Sequence, residues 1–493
     1  MERIYACGEK LLDEFGRQRI FNGVNVCDKG IYDEKKFKRK YCTQWKKGLA
    51  KTFREHGINL IRLGLIWEAV EPDAGVFDDE YISFMKDILD ECDEYGIKVY
   101  LDMHQDLYSG FGDGCGDGAP YWAVLSDGYT YKKAKFVWAE GYFFGKAVQK
   151  SFDNFWNNEK YLGKGIQDWY GEMWQYVAEN LGNHNAVIGF DIMNEPFPGT
   201  DGGKIFRNII SSLVKETVFD PSISKKKLIT LAAGEVKERV LDLYSGEHLR
   251  KITKKSDRLV KYFDTQKYFP FLSKISTMIR KVNKDKIIIM ENSYYSNLGI
   301  PYSCPVPVVN SVQDKNVLFA PHAYDFMVDT PSYKYASNDR IKAIFDEHKR
   351  SQTRLGIPVV VGEWGGFTEG NEWFPHIKFL YKLFDSNKWS NTYWAYFDSF
   401  TQTELFNDVI TRPYPISVTG DIIEYCHDRD EESFTLEYNQ DRVYEAPTEI
   451  FIHKKPSEII CESRFEICEI SGADSAIVKV YSYEGNNRIK LVF

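Results

Sequence analysis

Between residues 20 and 400 the chain alternates eight short apolar runs with stretches of helical period. The runs are Ile20–Val26, Ile58–Leu65, Ile97–Met103, Val187–Met193, Lys286–Glu291, Val317–Ala320, Pro358–Glu363 and Thr392–Phe397. Most are rich in β-branched and aromatic residues and have the length of a buried strand. Between them, Tyr81–Gly96, Ile166–Leu181, Asp339–Leu355 and Trp373–Ser386 repeat apolar residues every three to four positions, as amphipathic helices do. Gly57, Gly96 and Gly356 each stand just before a strand, where a helix ends in a left-handed residue. Strand and helix in regular alternation predict a parallel sheet. Eight such units predict a closed (β/α)8 TIM barrel rather than a doubly wound sheet, which would place a glycine-rich phosphate loop after its first strand.

Two excursions interrupt the alternation. The first, at about 108–165, is glycine-rich at Gly110–Gly118 and aromatic through Trp156; on the catalytic side of a barrel it is expected to wall a substrate cleft. The second, at about 202–285, contains Arg250–Lys286, with twelve Lys or Arg against three Asp, and an apolar knot at Tyr268–Leu272. Two expectations stand for it: contact with an anionic membrane surface, or solvated helix faces around a small local core. After Phe400 the pattern changes. Arg412-Pro-Tyr-Pro415 punctuates the chain, and Ser433–Tyr438, Glu449–His453, Glu458–Cys461, Ala476–Tyr483 and Arg488–Phe493 alternate apolar and polar residues between turn-like clusters. An antiparallel β-sandwich is predicted there. The division expected is a barrel over 1–410 and a β domain over 411–493.

Composition removes several function classes. A net charge of −9 argues against a general nucleic-acid binder. No apolar run approaches transmembrane length, and the first residues lack the cationic start and apolar core of a signal peptide. Nine scattered cysteines without a C-x-x-C pair indicate neither a zinc site nor a disulfide framework. A cytoplasmic protein is expected, peripheral to a membrane if the basic segment docks on lipid, and no obligate protein partner is evident. Aromatic residues at 15% suit clefts that hold sugar faces or lipid chains.

In a parallel barrel the chemistry sits at the carboxyl ends of the strands. The fourth run ends in Asn194-Glu195-Pro196, where the proline stops the ladder and leaves the acid at the strand end. The seventh ends in Gly362-Glu363-Trp364. Two strand-end glutamates on different strands can face each other across a sugar ring, one as general acid and the other as nucleophile. A separation of about 5–5.5 Å serves retention of configuration and one above about 6.5 Å serves inversion; the sequence does not give that distance. Other strand ends supply polar company. Arg62 on the second strand is suited to holding a carboxylate ionised. His104 and Asp106 follow the third strand, His322 and Tyr324 the sixth, and Trp394 closes the eighth as a floor for a sugar. A metal site at His104, Asp106 and His322 lacks ligand-type spacing. Glu68 and Glu291, also near strand ends, read as packing or loop-anchoring acids.

The set Arg62, His104, Asn194-Glu195, His322, Tyr324, Glu363 and Trp394 resembles the active-site set of glycoside hydrolase family 5, retaining β-glycosidases on (β/α)8 barrels. Leu101–Ser109, Gly116–Trp122, Ala147–Trp156 and Arg412–Pro415 resemble segments of its endoglycoceramidase-like branch. The resemblance implies that Glu195 is the acid/base and Glu363 the nucleophile, that Asn194 binds the sugar 2-hydroxyl, and that Tyr324 and Arg62 contact the nucleophile. It further implies sugar contacts from Asp106 and a lysine after the first strand, here Lys29, and a cis peptide after Trp394. The activity it implies is retaining hydrolysis of the β-bond between a sugar or glycan and a lipid aglycone of glycosphingolipid type, with no metal or organic cofactor. Alternatives are a soluble β-glucosidase or endo-β-glucanase on the same barrel, a sterol-glucoside hydrolase, and a catalytically silent glycolipid-binding protein.

Overall fold

The computed structural model describes residues 3–33, 38–41, 45–110, 116–135, 138–233, 237–328, 330 and 332–493. The middle of the glycine-rich run Gly110–Gly118 therefore lies outside the described residues.

Eight parallel strands form the barrel: β1 (Asn22–Cys27), β2 (Leu60–Ile66), β3 (Lys98–His104), β4 (Val187–Asp191), β5 (Ile287–Glu291), β6 (Val317–Ala320), β7 (Val360–Val361) and β8 (Ser390–Tyr393). Their order is β6-β5-β4-β3-β2-β1-β8-β7. The two ends of that row meet: Phe319 N–H donates to the Pro358 carbonyl at 3.0 Å and Ala323 N–H to that of Glu363 at 3.2 Å. This closes the sheet into the barrel that the eight runs predict.

Strand periodicity decides which side chains look inward. On β2, Ile61, Leu63 and Leu65 join the core between sheet and helices, while Leu60 joins the cluster that fills the barrel. Arg62 shares the parity of Leu60 and points inward. On β3, Val99, Leu101 and Met103 face the helices and Tyr100 fills the barrel, so Asp102 and His104 are inward. On β5, Ile288 and Met290 face out and Ile287 and Ile289 in, so Glu291 is inward as well. Apolar side chains thus plug the bottom of the barrel, and polar ones of the same parity crown its carboxyl end.

The helices begin and end as their sequences predict. Asp78 caps Asp79–Glu94 by accepting the Tyr81 N–H at 2.9 Å. Asn338–Leu355 ends at Gly356, whose φ of 64° is the left-handed conformation that favours glycine.

The second excursion differs from its sequence reading. Tyr268, Phe271 and Leu272 are fully buried, at the start of helix Phe269–Val282, and pack against Phe155, Trp156 and Phe263. That helix lies on Ile166–Asn180 as part of the barrel's outer layer. Three of the knot's five residues are therefore core, while Phe269 is half-buried and Pro270 exposed. Its basic neighbours are partly neutralised, Arg250 by Asp257, Lys274 by Asp168 and Arg280 by Asp314.

The C-terminal strands form two antiparallel sheets. Asp421–Asp428, Ser433–Gln440, Gly485–Val492 and Glu458–Cys461 make one; Tyr414–Val418, Thr448–Ile452, Ala476–Tyr481 and Arg464–Glu469 belong to the other. Phe434, Leu436, Ile450, Val478, Val480 and Leu491 pack in the core they share. The second sheet also contains Tyr5–Cys7, Lys10–Leu12 and Gln18–Arg19, the last of which pairs with Tyr414–Val418. The N-terminal residues, grouped with the barrel in the sequence reading, are thus strands of the β domain. These short pieces carry no long-range signal, and only the pairing across some 400 residues reveals them. The two units are clamped by Arg412, which is buried, makes two 2.6 Å bonds to Asp385 and lies over the Tyr381 ring. Removing one member of a buried pair strands the other. Arg412→Ala is expected to cost about 3–5 kcal/mol in urea unfolding, while Arg412→Lys, which keeps the charge and loses the bidentate geometry, costs less.

Candidate active site

The site is assembled around the guanidinium of Arg62. Nη1 donates to Glu363 Oε1 at 2.6 Å and to Asn25 Oδ1 at 3.1 Å. Nη2 donates to Glu291 Oε1 at 2.6 Å and to Asn194 Oδ1 at 2.9 Å, and it lies 3.0 Å from Asp102 Oδ1. Nε donates to Asp191 at 3.1 Å. One buried cation thereby contacts side chains from β1 and β3, the ends of β4 and β5, and the loop after β7. Burial opposes its charge, but Asp102, Glu291, Asp191 and Glu363 outweigh that penalty and raise its pKa well above the ordinary arginine value.

Glu195 sits at the end of β4 with a φ of 43°. For a non-glycine residue such a left-handed conformation costs about 1–3 kcal/mol and needs support. Its N–H donates to Glu291 Oε2 at 2.7 Å. Gln105 donates from Nε2 to the Asn194 carbonyl at 3.0 Å, and its own backbone carbonyl accepts Asn194 Nδ2 at 3.0 Å. On the side chain, Glu195 Oε1 accepts from Asn297 Nδ2 at 2.6 Å and lies 3.2 Å from His322 Nδ1. Burial raises the Glu195 pKa above the ordinary glutamate value; the His322 contact opposes this, and the negative Glu363 reinforces it.

Glu363 is presented by the buried Trp364, whose ring is wedged among Tyr381, Phe384 and Tyr393. Its Oε2 accepts the Tyr324 hydroxyl at 3.0 Å, while Arg62 holds Oε1. One carboxylate oxygen of Glu195, one of Glu363 and a ring nitrogen of His322 all lie within 4.8 Å of one another. His322 Nε2 is 3.3 Å from Glu291. Burial disfavours its charge, yet Glu291 and Glu363 outweigh burial and push its pKa up to about 10. Glu291 answers in kind: His322 and Arg62 overcome its burial and hold it at about 2.

Across the pocket, Lys29 is ion-paired with Asp106, lies 3.7 Å from Asp117, and sits 5.0 Å over the Trp394 ring. Trp394 stacks on His104 at 5.3 Å, and His104 Nδ1 is 2.8 Å from Asp102. The Trp394–Ala395 peptide is cis. His104 and Asp106 cluster with Asp117, whereas His322 clusters with the two glutamates. The Lys29 ammonium stands beside both aspartates of the first group, where its positive charge opposes a metal cation.

All ten residues singled out from the sequence meet in this region, and eight of them line one cavity of about 440 Å³: Lys29, His104, Asp106, Asn194, Glu195, Tyr324, Glu363 and Trp394. Arg62 and His322 lie beneath it. Trp138, Phe143, Tyr294, Asn297, Leu298, Asp325, Phe326 and Val328 complete the lining. Glu291 corrects the sequence reading: it touches Arg62, His322 and the Glu195 backbone, so it belongs to the site. Asp102, Asp191 and Asn25 were also missed, although polar residues at inward parity in apolar strands are a legible signal. Asn297, in the short turn Tyr294–Leu298, carries no such signal.

The chain belongs to glycosyl hydrolase family 5. The family's pattern, described as cellulase (glycosyl hydrolase family 5), matches residues 13–219 and 248–399, and that of the glycoside hydrolase family 5 C-terminal domain matches 412–484. The match resumes at 248, so most of the basic segment that the sequence reading set apart as an insertion is family barrel. Among individual relatives, an endoglycoceramidase of Cyanea nozakii is 31% identical over 212 residues, which are 39% of this chain and 41% of that protein. A glucosylceramidase of Rhizopus delemar is 26% identical over 320 residues, 53% of this chain and 45% of that protein. The chain thus matches less than half the length of either relative. The structure of endo-glycoceramidase II from Rhodococcus sp. in a cellobiose-like imidazole complex superposes with a TM-score of 0.74 at 23% identity, covering 98% of this chain and 99% of that one.

The contacts of Glu291 yield a test. Glu291→Gln removes the charge that helps keep His322 protonated, so the His322 ring, followed by NMR, is expected to titrate below its value of about 10. With the support of the Glu195 backbone weakened as well, kcat/KM is expected to fall at least about tenfold, or about 1.4 kcal/mol, with the circular dichroism spectrum unchanged.

Proposed function

We propose that this chain is a retaining β-glycosidase that cleaves the bond between a sugar or glycan and a lipid aglycone of the glycosphingolipid type. The observation that carries the reaction class is the approach of a Glu195 oxygen to a Glu363 oxygen within 4.8 Å. So close an approach suits a double displacement rather than the wider carboxyl separation of an inverting enzyme. The two carboxyls also have the contrasting surroundings this chemistry requires. Glu195, raised by burial, keeps its proton for the glycosidic oxygen. Glu363, oriented by Arg62 on one oxygen and the Tyr324 hydroxyl on the other, attacks the anomeric carbon. The glycosyl–enzyme bond forms as the bond to the aglycone oxygen breaks. Glu195, now a carboxylate, then takes a proton from water, and the hydroxide equivalent releases the sugar with net retention.

The aglycone class rests on the cavity's lining. Lys29, Asp106, His104 and Trp394 form a polar, stacking wall suited to sugar hydroxyls and a ring face. Trp138, Phe143, Leu298, Phe326 and Val328 present an apolar wall suited to a hydrocarbon chain. The names of the relatives, endoglycoceramidase and glucosylceramidase, agree with such a substrate. A sterol glucoside would use the same apolar wall, and a relative of Saccharomyces cerevisiae named ergosteryl-β-glucosidase, 28% identical over 195 residues, favours including it in the test.

Glu363→Gln is expected to abolish turnover without unfolding the chain; a variant working at nearly the wild-type rate would remove the assignment. In detergent, glucosylceramide is expected to be hydrolysed faster than cello-oligosaccharides, with the β-anomer of the sugar appearing first by NMR. An α-anomer in the first turnovers would refute retention. On the alkaline side kcat/KM is expected to fall as Glu195 loses its proton, with an apparent pKa above the ordinary glutamate value of 4.5. In Glu195→Gln that alkaline limb should vanish.

A further inference from the structure

Helix Thr200–Phe219 is apolar on both sides. Inward, Ile205 joins the main core, and Ile209 and Leu213 pack on the small cluster of Ile223, Tyr244 and Ile252. Outward, Ile210, Val214 and Val218 follow at steps of four residues and are 42%, 57% and 55% exposed; Phe219 ends the helix 75% exposed. The next helix, Lys225–Ala232, has no buried residue and presents Ile229 to solvent. Ordinary surface helices carry polar residues on the outer face, and a contiguous apolar face marks an interaction surface.

Two further observations identify the partner. The first is continuity with the cavity: Phe206, one turn before Ile210, stacks on Phe143 at 4.3 Å, and Phe143 lines the cavity. Phe144, largely exposed, meets Phe206 edge-on at 5.4 Å. The second is charge. Residues 200–233 hold six Lys or Arg against three Asp or Glu in a chain of net −9. Lys225, Lys226 and Lys227 are exposed, while Asp201 and Asp220 are paired with Lys204 and Lys251. Apolar side chains rimmed by lysines fit an anionic lipid surface. A second copy of this chain would bring the same positive charge to the same face and be repelled.

We propose that the outer face of Thr200–Phe219, with the lysines of Lys225–Ala232, docks this protein on an anionic phospholipid bilayer with the cavity mouth beside the lipid. The docking deepens the lipid-aglycone reading above, since it would bring the enzyme to substrate held in a membrane. The test is sedimentation with vesicles of phosphatidylcholine containing 30% phosphatidylserine. Wild type is expected to sediment with them, and much less with pure phosphatidylcholine. Ile210→Ser/Val214→Ser/Phe219→Ser and, separately, Lys225→Glu/Lys226→Glu/Lys227→Glu are each expected to lower partitioning at least tenfold. Hydrolysis of vesicle-embedded glucosylceramide should fall in parallel, with kcat/KM on a soluble aryl β-glucoside changed less than twofold. Equal sedimentation of wild type and both variants would overturn the proposal, as would a wild type that ignores anionic vesicles. So would a dimer in size-exclusion chromatography that the serine variant loses. Failure of the substrate reading is read separately, as absence of glucosylceramide hydrolysis by wild type in detergent, and leaves the sedimentation result standing on its own.

Discussion

The guanidinium of Arg62 is the interaction on which this molecule's chemistry depends. Buried inside the barrel, it would carry a prohibitive desolvation cost if unpaired. Four carboxylates and two amides meet it instead, contributed by five other βα units. Its planar fork gives fixed directions to each of them, so the positions of Glu363, Asn194 and Glu291 are set relative to one another by a single rigid group. A barrel built from eight separate strands thereby acquires a common reference point at its carboxyl end.

That cation does not neutralise all the acid around it, and the remainder is distributed with consequence. Burial together with Glu291 raises Asp191 well above the ordinary aspartate value. Glu291 stays low because His322 and Arg62 both face it. Charge on His322 in turn depends on Glu291 and Glu363, and His322 also touches Glu195. Glu195 and Glu363 are thus linked through one imidazole. Glu291 holds this chain together twice, electrostatically through His322 and mechanically through the Glu195 amide.

Outside the polar centre, apolar and aromatic side chains extend the cavity toward the surface. Trp138 and Phe143 of the first excursion, Leu298 of the turn after β5, and Phe326 and Val328 after β6 form the apolar wall, and Phe143 joins that wall to helix Thr200–Phe219. The β domain is anchored to the barrel through Arg412 and Asp385, and it incorporates the chain's first strands in one of its two sheets and the last strand in the other.

Much of this was legible without coordinates because it is local. The apolar runs at Ile58–Leu65 and Ile97–Met103, glycine at the end of Asn338–Leu355, and proline after Glu195 each act over a few residues, and they pointed to the barrel and the strand-end glutamates. Strand parity, which the reading of runs did not use, marks Asp102 and Glu291 as inward polar groups. Other features were decided only by tertiary structure. The Glu195–Glu363 separation is set by barrel closure between β6 and β7, some 170 residues from one acid to the other along the chain. The burial of Tyr268–Leu272 depends on Trp156 and Phe263 arriving from elsewhere, and the strand role of Tyr5–Arg19 on a partner at Tyr414–Val418. A local pattern states which face a side chain takes; what stands opposite that face is fixed only when distant segments meet.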